Sequence, residues 1–293
     1  MHKITADILL ENTTDRVLLD VRTPAEYAIG HIPGAYNLPL FSNEERVVVG
    51  TLYKQQSPDK AFLKGLEYAG ARMPDYVKEA RLLAPRGKVV VHCWRGGQRS
   101  GSLSWLLSFS GMDVQVLQGG YKAYRQYIHR QFGERPLRML VLGGPTGSAK
   151  TKILHELAAL GEQIIDLEKL AQHKGSAFGA LGELPQPKQE MFENLLGSTL
   201  FSTTKSNAKA ILWIEDESQR IGDSMIPVDF WKQMRKSRVF FLDIPFEERL
   251  NFLLEDYSKA SLEQLMNAVI RIKKRLGGLE TKNTINYLLE GKL

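Results

Sequence analysis

Two segments of the chain share a pattern in which a short apolar run leads into a glycine-rich loop and then into apolar residues at helical spacing. The first segment begins at Lys88–His92, and the second begins at residues 139–142. A run this short, followed directly by such a loop and a helix, is typical of a buried parallel strand in an α/β sheet. The chain is therefore expected to hold two α/β units.

The length supports the same division, because 293 residues exceed what one compact core usually holds. The segment FGERP at 132–136 interrupts the pattern of strands and helices, and we place the boundary there. We predict an N-terminal domain over residues 1–132, a three-layer α/β domain over 133–258 and a helical tail over 259–293. Further strands are expected at 16–22, 114–117, 163–166, 210–214 and 239–244.

Composition excludes several classes of protein. With 43% hydrophobic and 25% charged residues, the chain resembles an ordinary globular protein. It has no apolar run of about 20 residues and no leader-like start, so we expect a cytoplasmic protein without a membrane partner. The net charge of +6 is compatible with a polyanionic partner. The sequence leaves the oligomeric state open.

Cys93 is the only cysteine, which excludes an internal disulfide and a Cys-rich zinc site. It lies at the end of an expected strand and before an expected helix, where backbone N–H groups favour an anion. The positive charges of Arg95 and Arg99 favour a thiolate nucleophile. A buried structural cysteine is the alternative. The rest of the expected anion loop consists of Trp94, Gly96, Gly97, Gln98 and Ser100.

Two classes of enzyme use a loop of this kind. The string from His92 to Ser100 matches the phosphatase pattern H-C-x5-R-S. Upstream, DVRTPAEY at 20–27 and GHIPGA at 30–35 resemble the paired motifs of rhodanese-like domains, in which the loop cysteine carries sulfur. The resemblance implies a rhodanese-like parallel sheet for the N-terminal domain. The loop is one residue longer than in common rhodaneses and should accept a phosphate-sized anion. Asp20 and Arg22 are supporting residues, with a purely structural role as the alternative.

A second loop follows residues 139–142 and resembles the P-loop pattern G-x-x-x-x-G-K-[ST], whose backbone N–H groups hold phosphates. Its Ala149 stands where the pattern has glycine. Alanine is acceptable there if φ is negative, and it costs stability if φ is positive. The expected phosphate-binding residues are Gly144, Pro145, Thr146, Gly147, Ser148, Ala149, Lys150 and Thr151.

Acidic residues follow the expected strand at 210–214. Glu215, Asp216 and Glu217 match the strand end that orients a metal ion or water beside a P-loop. A solvated loop edge is the alternative. No element that recognises a nucleobase is apparent, so the phosphate ligand need not be a nucleotide. Mg²⁺ is a possible partner of these residues, and the metal requirement stays open.

Basic residues form three groups. The first, over 121–138, interleaves Tyr121, Tyr124 and Tyr127 with cations that include Arg135 and Arg138. Stacking and phosphate contacts would suit a single-stranded RNA loop, whereas a packed helix face would show the same tyrosine spacing. The cations at 235–238 and 271–275 are interpreted as solvated faces.

Taken in order, the motifs resemble those of the tRNA 2-selenouridine synthase family. They are CWRGGQRS at 93–100, GGPTGSAKT at 143–151, DLEKLAQHKGSAFG at 166–179, PQP at 185–187, FEN at 192–194 and EDESQRIG at 215–222. The match covers about residues 15–280. It adds Asp166, His173, Ser176 and Arg220 as supporting residues, beside Glu215 and Asp216.

The resemblance implies a tRNA-modifying transferase. Family members replace the sulfur of 2-thiouridine, at the wobble position of the tRNA anticodon loop, with selenium from selenophosphate. They also attach a geranyl group to that sulfur from geranyl diphosphate, and the geranylated tRNA is the expected intermediate. The P-loop with Lys150 and Thr151 would then hold the diphosphate, and Cys93 with Arg99 would handle the selenium donor. These small phosphates are co-substrates, and no tightly bound cofactor is expected.

Two departures keep other interpretations open. Ala149 is the first, and the second is that the family members compared continue through a further helical segment with a Tyr-Tyr-Asp motif. A catalytically inactive tRNA-binding protein is therefore one alternative. The other is a C-x5-R cysteine phosphatase fused to a P-loop module.

Overall fold

A computed structural model describes residues 2–11, 15–134, 136–205 and 211–292 of the chain. These residues form two compact units, Met1–Arg130 and Gln131–Leu293. Arg135 and Ala210, which belong to an expected basic stretch and an expected strand, lie outside the described residues.

The first unit is built on a five-stranded parallel sheet with the strand order β1-β5-β4-β2-β3. The strands are β1 (His2–Ile4), β2 (Val17–Asp20), β3 (Tyr36–Asn37), β4 (Lys88–His92) and β5 (Asp113–Leu117). The helices are α1 (Ala6–Glu11), α2 (Pro24–Ile29), α3 (Asn43–Gln55), α4 (Pro58–Gly70), α5 (Met73–Leu83), α6 (Gln98–Phe109) and α7 (Gly120–Gln131).

Local sequence explains where several of these elements begin. Thr23 and Ser42 cap α2 and α3 with side-chain oxygens, and each helix carries a glutamate three residues later that completes a capping box. Strand β4 is central and almost wholly buried, as its run of valines predicts. Tyr121 and Tyr124 on α7 are fully buried, so their spacing reflects a packed helix face. The interpretation of these two rings as RNA-stacking residues is wrong.

The second unit holds a four-stranded parallel sheet with the order β11-β6-β8-β7 and a small antiparallel hairpin of β9 and β10. Its strands are β6 (Arg138–Gly143), β7 (Gln163–Ile165), β8 (Ile211–Glu215), β9 (Arg220–Ile221), β10 (Ser224–Met225) and β11 (Arg238–Phe241). Its helices are α8 (Lys150–Ala159), α9 (Leu167–Ala171), α10 (Gln189–Thr204), α11 (Val228–Arg235), α12 (Phe246–Tyr257), α13 (Leu262–Arg271), α14 (Lys273–Leu276) and α15 (Gly278–Leu289).

The predicted fold class is confirmed: each unit is a parallel α/β sheet, and the chain after residue 245 is mainly helical. The strand expected at 239–244 is shorter, because β11 ends at Phe241, and Pro245 precedes α12. Both glycine-rich loops follow a central strand at its carboxyl end, where parallel sheets usually bind ligands. Within the described residues, no helix is long and apolar enough to cross a membrane.

Candidate functional site

The cysteine loop of the first unit joins β4 to α6 and is braced by the first turn of α7. The N–H of Tyr121 donates to the carbonyl oxygen of Cys93 at 2.9 Å. Gly120 has a φ of +61°, and a Cβ atom there would lie 2.3 Å from that same oxygen. Only glycine allows this approach, so the turn fixes the course of the loop.

The Cys93 thiol is 3% exposed, and its Sγ lies 3.3 Å from the hydroxyl oxygen of Ser100. Burial by itself raises the pKa of the thiol. Hydrogen bonds from the Ser100 side chain and from the N–H groups of Ser100 and Arg95, together with the charge of Arg99, outweigh burial and lower the pKa. The loop therefore favours the thiolate form, as the sequence predicts.

Arg99 is positioned by Glu26 on α2. Its guanidinium donates to the two carboxylate oxygens of Glu26 at 2.6 and 3.2 Å. Glu26 in turn accepts from the N–H of Thr23 as part of the α2 capping box. The other side chains of the loop differ in exposure. Trp94, Arg95 and Gln98 are exposed to solvent, whereas Ser100 is buried.

Asp20 and Arg22 form a buried ion pair in the same unit. The Arg22 guanidinium donates to Asp20 at 2.6 Å and to the carbonyl oxygen of Gly30 at 2.7 Å, and it stacks 3.8 Å from the ring centre of Tyr121. The pair thus supports the residues that brace the cysteine loop. The buried ring nitrogens of His92 have no hydrogen-bond partner among the described residues, and Nδ1 lies 3.8 Å from Asp20.

In the second unit the P-loop runs from β6 into α8. The Lys150 ammonium donates to the carbonyl oxygen of Gly144 at 3.1 Å, so it folds back over the loop. Ala149 has a φ of +59° and a ψ of +29°, which is the left-handed region. The condition under which alanine costs stability is therefore met.

Two carboxylates, from α9 and from the end of β8, meet at the Thr151 hydroxyl. This hydroxyl lies 2.9 Å from the Glu168 carboxylate and 3.3 Å from that of Glu215. Glu215 also accepts the N–H of Glu168 at 2.8 Å. Asp166 caps α9 through the N–H of Lys169 and lies 2.5 Å from Nε2 of His155, which is on α8 one turn after Thr151.

Burial and mutual repulsion perturb these carboxyl groups. Burial raises the pKa of Glu168, and burial with the nearby charges of Asp166 and Glu168 raises that of Glu215 well above its usual range. Burial and the charge of Glu168 raise the pKa of Glu217 to about 7. The Glu217 carboxyl fits because Gly175 has no side chain: a Cβ atom there would lie 2.2 Å from it. Such perturbed carboxyl groups beside a cleft are typical of functional sites.

A cleft of about 830 Å³ lies over the P-loop. One part of its wall is polar and contains the whole P-loop, Asp166, Glu168 and Glu217, whereas another part is formed by Leu184, Phe252, Leu253 and Tyr257. Lys174 ties this second wall to the loop after α9 by an ion pair with Asp256 at 2.7 Å. The cleft thus combines a P-loop end with an apolar surface.

The supporting residues expected from the sequence divide into two sets. Asp166, Ser176 and Asp216 line the cleft, although Asp216 also pairs with Arg235 on α11. His173 and Arg220 do not line it. The His173 ring packs against the backbone of Gly179, and Arg220 is exposed beside Asp223.

Comparisons with known proteins agree with the two units. A rhodanese-like domain family matches residues 5–127, and the family described as the tRNA 2-selenouridine synthase AAA domain matches residues 137–291, more than half of the chain. The chain belongs to the tRNA 2-selenouridine synthase family. The predicted resemblance is thereby confirmed.

Relatives of the chain carry the same family name. The tRNA 2-selenouridine synthase of Shewanella frigidimarina is 36% identical over 292 residues, which cover 92% of this chain and 77% of that protein. That of Nitrosomonas europaea is 37% identical over 252 residues, which cover 83% of this chain. The match spans only 64% of the Nitrosomonas protein's length.

One solved structure resembles part of the chain. The N-terminal domain of an ATP/GTP binding protein from Clostridium difficile 630 is 42% identical, covering 43% of this chain and 97% of that structure, with a TM-score of 0.41.

Some residues of the cysteine loop and of the P-loop cleft were not predicted from the sequence. Glu26 lay within a quoted motif, but nothing in the sequence paired it with Arg99, which is 73 positions away. The contact of His155 with Asp166 was also missed, although the i,i+4 spacing from Thr151 places His155 on the same helix face. The apolar cleft wall on α12 has an ordinary amphipathic pattern and gives no distinct signal.

Proposed function

We propose that the protein is a tRNA-modifying transferase that replaces the sulfur of wobble 2-thiouridine with selenium. Membership of the family and the name shared by its relatives support this proposal. The observation that carries it is the presence in one chain of a thiolate-favouring cysteine loop and a P-loop cleft. A tRNA substrate would place the protein in the cytoplasm.

We further propose that the cleft binds geranyl diphosphate. Its P-loop end suits a diphosphate, and the side chains of Leu184, Phe252 and Leu253 suit an apolar chain. In the reaction, the thiouridine sulfur forms a bond to the first carbon of the chain. The bond from that carbon to the diphosphate breaks, and the N3 proton of the base is released. The product sulfur is a better leaving group than the original thiocarbonyl sulfur.

The cysteine loop would then handle selenophosphate. This donor is a tetrahedral anion, and a loop with five residues between Cys93 and Arg99 suits its size. The thiolate and the Arg99 guanidinium are held by Ser100 and Glu26, so both are oriented before the donor binds. In this step the Cys93 thiolate would attack phosphorus, the P–Se bond would break, and hydrogen selenide anion would leave. The selenide would then add to C2 of the base, geranyl thiolate would leave, and the selenide proton would return to N3. Water would hydrolyse the phosphocysteine to phosphate and free thiol.

The P-loop end of the cleft would suit Mg²⁺. The Thr151 hydroxyl lies 2.9 Å from the Glu168 carboxylate and 3.3 Å from that of Glu215, and all three groups are hard oxygen ligands. In the described part of the chain, no group of three or more His, Cys, Asp or Glu residues is arranged to hold a metal by itself. Diphosphate oxygens and water would therefore complete the shell. Bound Mg²⁺ would neutralise charge on the leaving diphosphate.

The test is mass spectrometry of nucleosides from 2-thiouridine tRNA incubated with the protein, geranyl diphosphate and selenophosphate. We expect Cys93→Ser to accumulate the S-geranyl nucleoside without selenouridine. We expect Lys150→Ala to slow geranylation roughly 100-fold, because a charge that stabilises the leaving diphosphate is lost. Lys232→Ala, on the exposed face of α11, serves as the control. Normal geranylation by Lys150→Ala would disprove the assignment of the P-loop to the diphosphate.

Hydrolysis of a phosphate ester at Cys93 is a second candidate function. The observation that favours it is the Ser100 hydroxyl 3.3 Å from Sγ in a loop with the phosphatase spacing. The same protein samples, assayed for phosphate release from a phosphotyrosine peptide, distinguish the two functions. Phosphate release that Cys93→Ser abolishes, without any change in the tRNA nucleosides, would favour the phosphatase.

A further inference from the structure

A group of exposed cations lies at the corner between α13 and α15 of the second unit. Four of the five residues at the end of α13 and the start of α14 are basic, namely Arg271, Lys273, Lys274 and Arg275, and no acid interrupts them. All four are exposed. None of them has an ion-pair partner among the residues that the structure describes. We call these four residues the α14 basic patch.

The backbone that carries the patch is well fixed. Helix α13 buries Leu265, Ala268 and Val269, so its orientation is set by packing. On the other side, the buried Thr281 of α15 donates its hydroxyl to the carbonyl oxygen of Gly277 at 2.6 Å. The four charged side chains thus extend from a rigid backbone between α13 and α15. Binding of a ligand to them therefore costs little backbone entropy.

The patch is linked to the loop that forms one side of the P-loop cleft. Burial lowers the pKa of the His173 imidazole, the positive charge of Arg271 lowers it further, and the negative charge of Asp223 raises it. The residues around His173 in sequence, Gln172 and Lys174, line the cleft. The charge of Arg271 therefore acts on a residue of the loop that lines the cleft.

We propose that the α14 basic patch is a docking surface for the phosphate backbone of tRNA, which holds the nucleic acid beside the cleft. This proposal rests on the proposed function, since it takes tRNA as the substrate. Four exposed cations that have no ion-pair partner among the described residues match the charge of a polyphosphate chain. Contacts of this kind position a nucleic acid without recognising its bases. This proposal departs from the interpretation of residues 271–275 as a solvated face.

The experiment compares two matched double variants of the full chain. Lys273→Gln/Lys274→Gln removes two charges from the patch, and Lys232→Gln/Lys236→Gln removes two from exposed positions on and just after α11. Binding of 2-thiouridine tRNA is measured at several salt concentrations without geranyl diphosphate or selenophosphate. We expect the patch variant to bind roughly tenfold more weakly at 0.1 M salt. Its slope of log affinity against log salt should fall by about 2, whereas the control should match the wild type.

Four outcomes decide the proposal. Weakened binding confined to the patch variant supports it. Equal weakening in both variants would show a response to net charge alone and would overturn it, as would unchanged binding. A parallel measurement with anionic phospholipid vesicles tests a membrane surface as the partner. If the patch variant lost vesicle binding but kept tRNA binding, the patch would be assigned to a membrane surface and the proposal would be overturned. Because no donor is present, a failure of the proposed chemistry leaves this binding result unaffected.

Discussion

Ala149 holds a backbone conformation that a Cβ atom disfavours. Its φ of +59° and ψ of +29° lie in the left-handed region, where residues other than glycine incur a steric cost on the order of 1–2 kcal/mol. The position opens α8 directly before Lys150, so the strain lies within the phosphate-binding loop itself. The P-loop pattern has a glycine at this position because glycine adopts a positive φ without steric strain, and this chain departs from the pattern.

We expect Ala149→Gly to raise the free energy of unfolding by about 0.5–1 kcal/mol, because relief of strain exceeds the added entropy of glycine in the unfolded chain. Urea unfolding is the measurement. Ala158→Gly, at an exposed position within α8, is the matched control and should lower stability by about 1 kcal/mol. Changes of the same sign in both variants would contradict the prediction.

Glu217 should make stability depend on pH. Its pKa is raised from 4.5 to about 7 by burial and the charge of Glu168, so the folded protein binds a proton that the unfolded chain releases. Its stabilising contribution is therefore fully present below pH 4.5 and is lost as pH rises to about 7. The shift corresponds to at most about 3 kcal/mol, which solvent in the cleft reduces to about 1–2 kcal/mol.

Glu217→Gln should remove this part of the pH dependence, since the amide fills the same space without ionising. Thermal unfolding between pH 5 and pH 8 should show a flatter curve for the variant and a higher Tm than wild type at pH 8. Glu255→Gln, an exposed position on α12, is the control and should keep the wild-type curve. A curve as steep in the Glu217→Gln protein as in the wild type would rule out Glu217 as a source of the pH dependence, since Glu168 and Glu215 titrate in both proteins.

At the scale of elements, α12 packs directly on the P-loop. Gly147 has a φ of +84°, and a Cβ atom there would lie 2.7 Å from the carbonyl oxygen of Arg249 and 3.0 Å from Cγ of Leu253. The Arg249 guanidinium donates to the carbonyl oxygen of Thr146 at 3.2 Å. The helix therefore holds the phosphate-binding loop and supplies an apolar wall of the cleft at the same time.

Gly147→Ala should destabilise the protein and weaken its binding of inorganic diphosphate, because the new methyl group pushes α12 away from the loop. Gly161→Ala is a matched control, since Gly161 has a φ of +93° and open space around it. Both variants carry the left-handed strain, and Gly147→Ala should lose about 1–3 kcal/mol more. Calorimetric titration and urea unfolding measure the two effects. Equal losses would show that the contact with α12 is unimportant.

At the scale of the whole molecule, each unit has its own sheet and core. The first unit contains a contiguous cluster of buried side chains that runs from Leu19 on β2 to Val114 on β5. We expect a fragment of residues 1–134, which keeps α7 whole, to unfold cooperatively in urea as an independent domain. A broad transition without a folded baseline would instead show that this unit needs the rest of the chain.

Much of this architecture could be predicted from the sequence because it depends on local patterns. The valine run of β4 and the capping box at Thr23 each specify an element from neighbouring residues alone. The end of β11 was misplaced because the apolar residues after Phe241 continue the strand pattern. The spacing of apolar residues does not show where the hydrogen bonds between neighbouring strands end. The helices between residues 43 and 83 were not predicted for lack of a motif.

The sequence by itself determined the two α/β units, the thiolate loop at Cys93 and the P-loop at Lys150, since each is a short-range pattern with a known geometry. Only the tertiary structure decided that Glu26 holds Arg99 and that α12 closes one side of the cleft. It also decided that Tyr121 and Tyr124 are buried and that Ala149 is strained. The physical reason is that burial, charge coupling and backbone dihedral angles depend on residues far apart in the chain, which meet only when the sheets are packed.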